Sequence, residues 1–527
     1  VPIVGISKRL KMIKNNEYLI FKMKKTLLFF TAIINFIGFS FFVNAETVTI
    51  NGNDSTLYNF FDKDILTLKG PANASGKLNF NSGSISINST DNGDQITGEV
   101  NTFSGVDIGI NVLNSNTLTI SASIDGPGSI NKDGEGILIL NQSNVYTGTT
   151  TISDGTLRLS ASGTLSDSTA VNVSSKGTFD VNPTNTIASI EGSGTIDIAS
   201  GATLTAGDAN DKTFLGVIQG AGNFSKAGSG TLTLSGINTY TGSTIVSDGT
   251  LQLTGSLNNL TAVTVNSGAS LDLQASQTIA SLDLDGSITR SAGTSSLTVS
   301  GTSDLGDNVT TSSSQTYTGA ATLSAANTLT TTNSNITFGD TVNSDGTTRN
   351  LTINAGTGTT QFAGIVGGTS ALGIIDINGS LDLDAAIADV ASLDISGTSN
   401  IGANVTTTGT QTYSGTTTLS GGDRTLTGST INFGSTVDGG GNNIIIAGNA
   451  DIVGAITNTA ALSVQGVGST SNIGADITTA GVQFLGNATL SGTGDRTVTS
   501  TGGSNITFYG ITGASKGLTV DGGFQLS

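Results

Sequence analysis

A 34-residue segment that occurs twice is the feature that most narrows the possible folds. The first copy, residues 126–159, reads GPGSINKDGEGILILNQSNVYTGTTTISDGTLRL, and the second, residues 220–253, reads GAGNFSKAGSGTLTLSGINTYTGSTIVSDGTLQL. Tyr146 of the first copy recurs as Tyr240 of the second, 94 residues later. A fixed period is typical of solenoids, propellers and arrays, in which each repeat packs on its neighbours. We therefore expect a repeat protein rather than a series of globular domains.

The C-terminal half carries a second family of repeats. SDLGDNVTT begins at Ser303, SNIGANVTT at Ser399 and SNIGADITT at Ser471, so successive copies are 96 and 72 residues apart. QTYTG, from Gln315, and QTYSG, from Gln411, keep the 96-residue interval. Both intervals are multiples of 24, and the 94-residue interval is nearly so. The spacing therefore predicts an elementary unit of one coil of roughly 24 residues, a length typical of structural repeats.

Inside the repeats, the local pattern is that of short β-strands. Runs such as Thr231–Leu234 and Leu271–Leu273 alternate polar and aliphatic residues with period two, and Gly, Asn, Asp or Ser bound them. This alternation places the aliphatic side chains on one face of a strand. One coil cannot bury such a face alone, whereas stacked coils can. The sequence predicts an all-β parallel β-helix (β-solenoid) of roughly twenty coils, and the pattern leaves its handedness open.

The composition excludes most familiar catalytic chemistry. None of the 527 residues is Cys or His, so the chain has no thiolate nucleophile, no Ser-His-Asp triad and no thiolate or imidazole ligand for zinc. Disulfides cannot form either. With 20 basic against 38 acidic side chains, nucleic acid is disfavoured as a partner. We expect no cofactor, no metal site and no nucleic-acid partner.

The first 45 residues differ from the rest. MKK from Met23 opens a charged segment, residues 26–43 are mostly apolar, and VNA ends at Ala45 before Glu46. This pattern predicts a signal peptide over residues 23–45, cleaved between Ala45 and Glu46, and an uncleaved membrane anchor is the alternative. Residues 1–22 would form an unstructured upstream extension. Residues 46–527 carry 13 basic and 37 acidic side chains, a net charge of −24, so the exported chain would be strongly acidic.

The two 34-residue segments resemble the passenger-associated, or autotransporter-associated, β-strand repeat, whose pattern is approximately GxGxxxKxGxGxLxLxGxNxYxGxTxxxxGTLxL. The motif residues that we single out are Gly126, Gly128, Lys132, Tyr146 and Gly155 in the first copy and Gly220, Gly222, Lys226, Tyr240 and Gly249 in the second. The first copy departs from the pattern where Asn141 and Gln142 replace a Ser-Gly pair. The resemblance implies a right-handed β-helical passenger of a type V secreted protein. It also implies export by the Sec translocon and an outer-membrane β-barrel translocator to the surface of a Gram-negative bacterium or beyond it.

These features predict the organisation of the chain. We expect an N-terminal cap and first coils over residues 46–123, a β-helix with the two autotransporter-type repeats over 124–300, and a β-helix with the second repeat family over 301–527. The sequence stops within a repeat, and no run of amphipathic barrel-type strands precedes its end. We therefore expect a truncated passenger whose translocator lies outside this chain.

Charged residues that recur at a repeat interval favour structural roles over catalytic ones. Asp423-Arg424 returns 72 residues later as Asp495-Arg496, which indicates a structural corner or a surface ion pair. Lys132 is repeated in the same way, which favours a solvated or stack-side lysine over a catalytic base.

Tyrosines and one glycine-rich stretch are the remaining candidates for binding. Tyr146, Tyr240, Tyr317 and Tyr413 each precede Thr-Gly or Ser-Gly, and packing in the core or a turn competes with stacking on sugar rings. DGGGNN, residues 438–443, lacks the regular Asp of calcium-binding nonapeptides, which favours a surface turn.

The sequence therefore favours a non-enzymatic passenger that acts as an adhesin or as a stalk. Its partners would include the surface, matrix or glycans of a host cell. A pectin-lyase-like enzyme that degrades polysaccharides is one alternative, although it would need non-repeating acidic and basic residues beside a groove. A non-functional passenger fragment is the other.

Overall fold

The computed structural model describes residues 43–44, 47–61, 63–81, 83–102, 105–466, 468–513 and 516–527. The expected upstream extension, the signal peptide almost entirely, and its cleavage site at Ala45 and Glu46 lie outside the described residues. The chain divides into two compact units, one ending at Ala188 and the other spanning Ser189–Ser527. The expected domain boundaries at 123/124 and 300/301 stay predictions.

Every regular element among the described residues is a β-strand. The described part contains no helix that is long and apolar enough to cross a membrane. The strands of the first unit are β1 Val43–Asn44, β2 Thr47–Asp54, β3 Tyr58–Phe60, β4 Ile65–Ala74, β5 Leu78–Phe80, β6 Gly83–Ser89, β7 Asp94–Ile96, β8 Val100–Thr102, β9 Val106–Val112, β10 Thr117–Ile120, β11 Ile124–Asp125, β12 Ser129–Asp133, β13 Ile137–Leu140, β14 Thr150–Leu159, β15 Ala170–Val181 and β16 Asn185–Ile187.

The second unit contains strands of 2 to 12 residues. They are β17 Ser189–Gly192, β18 Thr195–Ile198, β19 Thr203–Ala206, β20 Lys212–Phe214, β21 Val217–Gly220, β22 Asn223–Lys226, β23 Thr231–Leu234, β24 Thr244–Val246, β25 Thr250–Leu253, β26 Ala262–Val265, β27 Ser270–Leu273, β28 Gln277–Ile279, β29 Ser281–Leu284, β30 Ser287–Thr289, β31 Leu297–Val299, β32 Ser303–Leu305, β33 Val309–Thr310, β34 Gln315–Tyr317, β35 Ala321–Leu323, β36 Asn327–Thr330, β37 Ile336–Phe338, β38 Val342–Ser344, β39 Leu351–Phe362, β40 Leu372–Leu383, β41 Ile387–Ile395, β42 Ser399–Ile401, β43 Val405–Thr407, β44 Thr410–Tyr413, β45 Thr417–Leu419, β46 Arg424–Phe433, β47 Val437–Asp438, β48 Ile444–Ile452, β49 Ile456–Thr459, β50 Leu462–Gln465, β51 Thr470–Ile473, β52 Ile477–Thr479, β53 Gln483–Phe484, β54 Asn487–Leu490, β55 Arg496–Ser500, β56 Asn505–Phe508, β57 Gly510–Thr512, β58 Leu518–Asp521 and β59 Gly523–Leu526.

The strands stack in parallel, each on the strand one coil later. Thr250 of β25 faces Ser270 of β27, for example, and Ser270 in turn faces Ser287 of β30. This arrangement confirms the predicted parallel β-solenoid, which has about 24 coils. The length of a coil varies, since Ser270 pairs with Ser287 in a short coil and Val342 pairs with Val366 in a long one. Handedness stays a prediction.

From β28 onward, a coil has three strand positions, which we call faces a, b and c in chain order. In the middle of this unit, face a holds β28, β31, β34 and β37, face b holds β29, β32, β35 and β38, and face c holds β30, β33 and β36. Neighbouring strands on a face are hydrogen-bonded across coils. Long strands such as β39 bend through two positions, since its first half pairs with β36 and its second half with β37.

The typical coil is shorter than the repeat intervals suggested, because the sequence repeat is not a whole number of coils. In four coils, the ladder that starts at Ser303 passes through Ala321, Val342, Val366 and Ile387. Ser399 lies two strand positions further on, so the interval from Ser303 to Ser399 spans four and two-thirds coils. A coil therefore contains about 20 residues on average, at the lower end of the range for structural repeats. The interval from Ser399 to Ser471 spans three and two-thirds coils in the same way.

As a result, the three copies of the second repeat lie on three different faces. Ser303 is on face b, Ser399 on face a and Ser471 on face c. Each copy is displaced by one strand position, yet it forms the same local structure. The residue directly before the next strand, Asn308 in the first copy, accepts a hydrogen bond through Oδ1 from the Thr328 amide of the next coil at 2.7 Å. Asn404 and Asp476 do the same at 2.9 and 2.8 Å.

The core is a set of ladders built from the inward residues of the strands. Alternation along TLTL of β23 buries Leu232 and Leu234 and leaves the threonines half-buried. Full burial of one such aliphatic side chain contributes about 1.5–3 kcal/mol. Aromatic rings extend the ladders, since the ring centroid of Phe338 is 5.2 Å from those of both Tyr317 and Phe362 in the adjacent coils. The interior is therefore continuous from coil to coil.

We expect Phe338→Ala to destabilise its own coil and the two beside it. Truncating a buried aromatic ring costs about 3–5 kcal/mol, and coils of a solenoid depend mainly on their nearest neighbours. Amide hydrogen exchange should show lower protection in β34, β37 and the second half of β39. The control is Thr337→Ala on the outward side of the same strand. Equal protection in the two variants would contradict this role of the aromatic stack.

Candidate functional site

The first 34-residue repeat buries Lys132 at a corner of its coil. This lysine ends the inward alternation of β12, and its side chain is 0 % exposed. The ammonium Nζ donates to the carbonyl oxygens of Asp133 at 2.9 Å, Gly134 at 2.6 Å and Asp154 at 3.0 Å. Asp154 belongs to the next coil, so one ammonium joins the same corner of two successive coils.

The second repeat builds the same corner around Lys226. Its Nζ donates to the carbonyl oxygens of Ala227 at 2.7 Å, Gly228 at 2.7 Å and Asp248 of the next coil at 3.1 Å. Three acceptors match the three N–H groups of an ammonium, which makes its burial tolerable. Both lysines are therefore stack-side residues, and the solvated alternative does not occur.

The buried environment of these lysines lowers their pKa. Burial lowers the pKa of Lys132 to about 8, while the negative charges of Asp133 and Asp154 act in the opposite direction. Burial also lowers the pKa of Lys226. Each of the three N–H groups of the enclosed ammonium already has a backbone acceptor, so the arrangement is structural.

One motif glycine lies in the turn beside each lysine. Gly155 and Gly249 have φ of +64° and +60°, a conformation that glycine adopts most readily. A Cβ on Gly155 would lie 2.4 Å from the carbonyl oxygen of Gly134, and a Cβ on Gly249 would lie 2.5 Å from that of Gly228. The other motif glycines lie where a Cβ would approach the preceding coil within 2.7 Å: Gly126, Gly128, Gly220 and Gly222.

The four tyrosines lie inside the solenoid. The hydroxyls of Tyr146 and Tyr240 share hydrogen bonds of 2.5 Å with the Oγ1 atoms of Thr150 and Thr244. Together with Tyr317 and Tyr413, both rings are 0 % exposed. None of the four presents a ring face to solvent on which a sugar could stack.

Buried asparagines occupy the Asn position of the motif pattern in both repeats, although they were not among the motif residues singled out above. Asn144 accepts a hydrogen bond through Oδ1 from the Ile124 amide at 3.1 Å and donates through Nδ2 to the carbonyl oxygen of Thr164 at 2.9 Å. It therefore links three successive coils. Asn238 repeats the arrangement with Ile218 and Ser256 at 3.0 and 3.2 Å. Their recurrence at the common repeat interval is the signal that could have identified them.

The second repeat family buries a glutamine beside a tyrosine. Gln315 donates through Nε2 to the carbonyl oxygen of Thr330 at 2.9 Å, and its Oε1 accepts from the Tyr317 hydroxyl at 3.0 Å. Gln411 and Tyr413 form the same pair at 2.9 Å.

The third copy of this family has lost the tyrosine. Leu485 stands at the tyrosine position, and Oε1 of Gln483 has no hydrogen-bond partner among the described residues. The Nε2 group of Gln483 still donates to the carbonyl oxygen of Thr499 at 2.7 Å. The third copy therefore keeps the coil-to-coil hydrogen bond and loses the hydroxyl that completes the pair.

The Asp-Arg pairs form corners and not ion pairs. Arg424 turns inward and donates to the carbonyl oxygens of Ile401 at 3.1 Å, Asp423 at 2.7 Å and Ser420. The Asp423 carboxylate turns outward and accepts from the backbone amide and side-chain amide of Asn443 at 2.9 and 2.8 Å, which lowers its pKa.

The second Asp-Arg pair repeats most of this arrangement, although Nε of Arg496, unlike that of Arg424, has no hydrogen-bond partner among the described residues. Arg496 donates to the carbonyl oxygens of Asp495 and Ser491, and the Asp495 carboxylate accepts from the Gly517 amide at 2.7 Å. Neither aspartate faces its neighbouring arginine as a partner in acid–base chemistry.

The glycine-rich stretch at 438–443 is a turn between two strands of one coil, β47 and β48. Asp438 accepts hydrogen bonds through Oδ1 from the Gly440 amide at 2.9 Å and from Nδ2 of Asn458 at 2.7 Å. Its carboxylate therefore has protein partners. Within the described ranges, no group of three or more acidic side chains is arranged to hold a metal ion.

The fold and the corner residues define the class of this protein as a parallel β-solenoid with internal repeats. The model of the passenger-associated-transport-repeat family matches residues 130–159 and 224–253, which contain both buried lysines, both buried asparagines and their tyrosines. The chain is also similar to the Adhesin BmaC autotransporter of Brucella suis biovar 1 (strain 1330), at 32 % identity over 193 residues. That match covers 34 % of this chain and 6 % of the relative. No solved structure matches the chain.

Replacing a corner lysine should destabilise the solenoid locally. In Lys226→Met, three carbonyl oxygens lose their donor, and each buried acceptor left unsatisfied costs about 1–3 kcal/mol. Amide exchange should increase in β22 and β24. The control is Lys176→Met, because Lys176 is exposed. Exchange in Lys226→Met that matches the wild-type chain would contradict the corner role.

Alkaline pH should reveal the buried tyrosines. Burial raises the pKa of Tyr146, Tyr240, Tyr317 and Tyr413 above the usual value of 10.0. The unfolded chain releases these protons above about pH 10 and the folded chain keeps them, so stability is lost as pH rises beyond that point. Ultraviolet titration should show four tyrosines that ionise only when the fold unfolds. In urea, all tyrosines should titrate together near pH 10. A titration curve of the native protein that is identical to the curve in urea would contradict the burial of the four tyrosines.

Proposed function

We propose that this chain is part of the passenger of an autotransporter and acts as a non-enzymatic adhesin, or as the stalk that displays one. The observation that carries the proposal is the presence of two passenger-associated-transport repeats within a parallel solenoid that is similar in sequence to an autotransporter adhesin. The chain spans 6 % of that relative, so its adhesive role is proposed here for this segment alone.

The surface of the solenoid suits binding by area. Its recurring charged residues serve as corners, the four tyrosines of its repeats are buried, and the copies of the second repeat family lie on different faces. Many weak contacts along such a surface can give strong attachment through avidity. No feature of the described residues favours the alternative polysaccharide-degrading enzyme, because the Arg and Lys candidates donate to backbone carbonyls and the Asp carboxylates accept from amide groups.

Export to the cell surface or the extracellular space follows from the same proposal. The passenger would use the Sec translocon and an outer-membrane translocator as secretion partners. Its binding partners would lie on host cells or in their matrix. The absence of cysteine suits this route, since folding outside the cell then requires no disulfide chemistry.

Adhesion of coated beads tests the proposal. Beads that carry purified residues 46–527 should bind epithelial monolayers several-fold more than beads that carry the same chain unfolded in urea before coating. The folded surface is the binding element, so unfolding must remove adhesion. Equal binding by both preparations, or by neither, would contradict the adhesin role.

A second assay addresses the enzymatic alternative. Incubating the same chain with polygalacturonate should release no unsaturated, ultraviolet-absorbing product, whereas a commercial pectate lyase in parallel should release it. Cleavage by the chain would contradict the proposal of a non-enzymatic passenger.

A further inference from the structure

A shallow cleft of about 300 Å³ opens at one corner of the first unit. It crosses three successive coils and is lined by Ser143–Val145, by Thr164–Asp167 and by Thr184–Thr186. Ligand pockets in proteins begin at about this volume, which accommodates one or two sugar rings. The cleft lies on the outer surface of a corner. The side chain of Asn144 stabilises the buried side of the same corner.

The floor of the cleft is a row of hydroxyl groups fixed by the coil spacing. Ser143 and Thr164 form a parallel β-bridge, and Oγ1 of Thr164 donates to Oγ of Ser143 at 3.0 Å. Ser123, one coil earlier, donates through its hydroxyl to the carbonyl oxygen of Ser143 at 2.6 Å. The row is therefore ordered before any ligand arrives.

Two buried amides beneath this row fix its backbone. Asn144 is 1 % exposed and holds the carbonyl oxygens of Gln142 and Thr164 at 2.8 and 2.9 Å. Asn185 is 3 % exposed and accepts from the Leu165 amide at 2.8 Å. A preorganised backbone lowers the entropy cost of binding.

The walls combine one apolar patch with polar groups. Val145 is 52 % exposed and offers a small apolar surface. The Asp167 carboxylate and the Thr186 hydroxyl are exposed on the two following coils. A pyranose ring has a matching composition, since its C–H face is apolar and its edge carries hydroxyls that donate well to a carboxylate.

The charge of the molecule selects among sugars. Residues 46–527 carry a net charge of −24, and Asp167 stands at the cleft itself. Uronic, sialic or sulfated sugars would be repelled, whereas neutral sugars would not.

The second repeat provides an internal comparison at the same corner. Ile237 takes the place of Ser143 one repeat later and is 71 % exposed. Its backbone is unchanged, since it forms the equivalent bridge to Ser256 and Asn238 makes the equivalent hydrogen bonds. The projecting isoleucine occupies the position where the first repeat has an open row of hydroxyls.

We propose that the corner cleft of Ser143, Val145, Thr164 and Asp167 binds a pyranose ring of a neutral glycan. This inference rests on the proposed adhesive function and gives it a site. The ring would place its apolar face on Val145 and its hydroxyls on the Ser143–Thr164 row and the Asp167 carboxylate.

Saturation-transfer NMR on purified residues 46–527 tests the site, with lactose, cellobiose and chitobiose as probes and digalacturonic acid as the anionic probe. At least one neutral disaccharide should bind, with a Kd on the order of 1 mM, and the anionic probe should not. Ser143→Ile should weaken binding at least about tenfold, a loss of about 1.4 kcal/mol. This variant should fold, because the second repeat already carries isoleucine there.

The matched control is Ile237→Ser, which leaves the cleft intact and should retain full binding. Absence of a signal from every neutral probe, or an unchanged signal in Ser143→Ile, would overturn the cleft proposal. The two proposals fail separately. If the beads adhere but no disaccharide binds, only the cleft proposal is contradicted. If a disaccharide binds but the beads do not adhere, only the adhesin proposal is contradicted.

Discussion

The parallel hydrogen bonds between successive coils are the interaction on which this structure depends. A strand can pair with the strand one coil later only if both coils have the same width at that point, so similar residues recur at similar positions. Inward side chains then stack on one another, as Tyr317, Phe338 and Phe362 do at 5.2 Å. The stack buries what a single coil would leave exposed. Differences in coil length are absorbed at the corners. One example is the difference between the short coil from Ser270 to Ser287 and the long one from Val342 to Val366.

The corners need their own polar chemistry because the chain leaves the hydrogen-bonded ladder there. Backbone carbonyls that turn inward at a corner would be buried without partners, at a cost of about 1–3 kcal/mol each. This protein supplies donors from side chains that reach across coils: the ammonium of Lys132, the guanidinium of Arg424 and the amides of Asn144 and Gln411. Four residue types thus solve one problem, and each is repeated where the problem recurs.

The sequence predicted the architecture well because period-two alternation and long-range repetition directly reflect strands and stacking. It overestimated the typical coil length, since Ser303, Ser399 and Ser471 differ by four and two-thirds and then three and two-thirds coils. An interval in sequence does not reveal how many strand positions it contains. The sequence likewise predicted some of the site residues and missed others. The motif located Lys132 and Tyr146, but spacing alone could not tell that the ammonium is buried. The proposed role of Ser143 was not visible, because a serine between two polar residues carries no pattern.

The fractional displacement of the repeats has a consequence for how such a surface meets a partner. If each repeat were a whole number of coils, every copy would lie on one face, and only a partner on that side could contact several copies. Here the three copies occupy faces b, a and c in turn. Their outward residues are therefore presented in different directions around the coil, while the inward glutamine of each copy keeps its hydrogen bond to a backbone carbonyl of the next coil. The core constrains the inward positions equally on all faces, whereas the outward positions, such as Ser143 and Ile237, are free to differ. A repeat protein of this kind can thus vary its binding surface copy by copy without altering the stack that supports it.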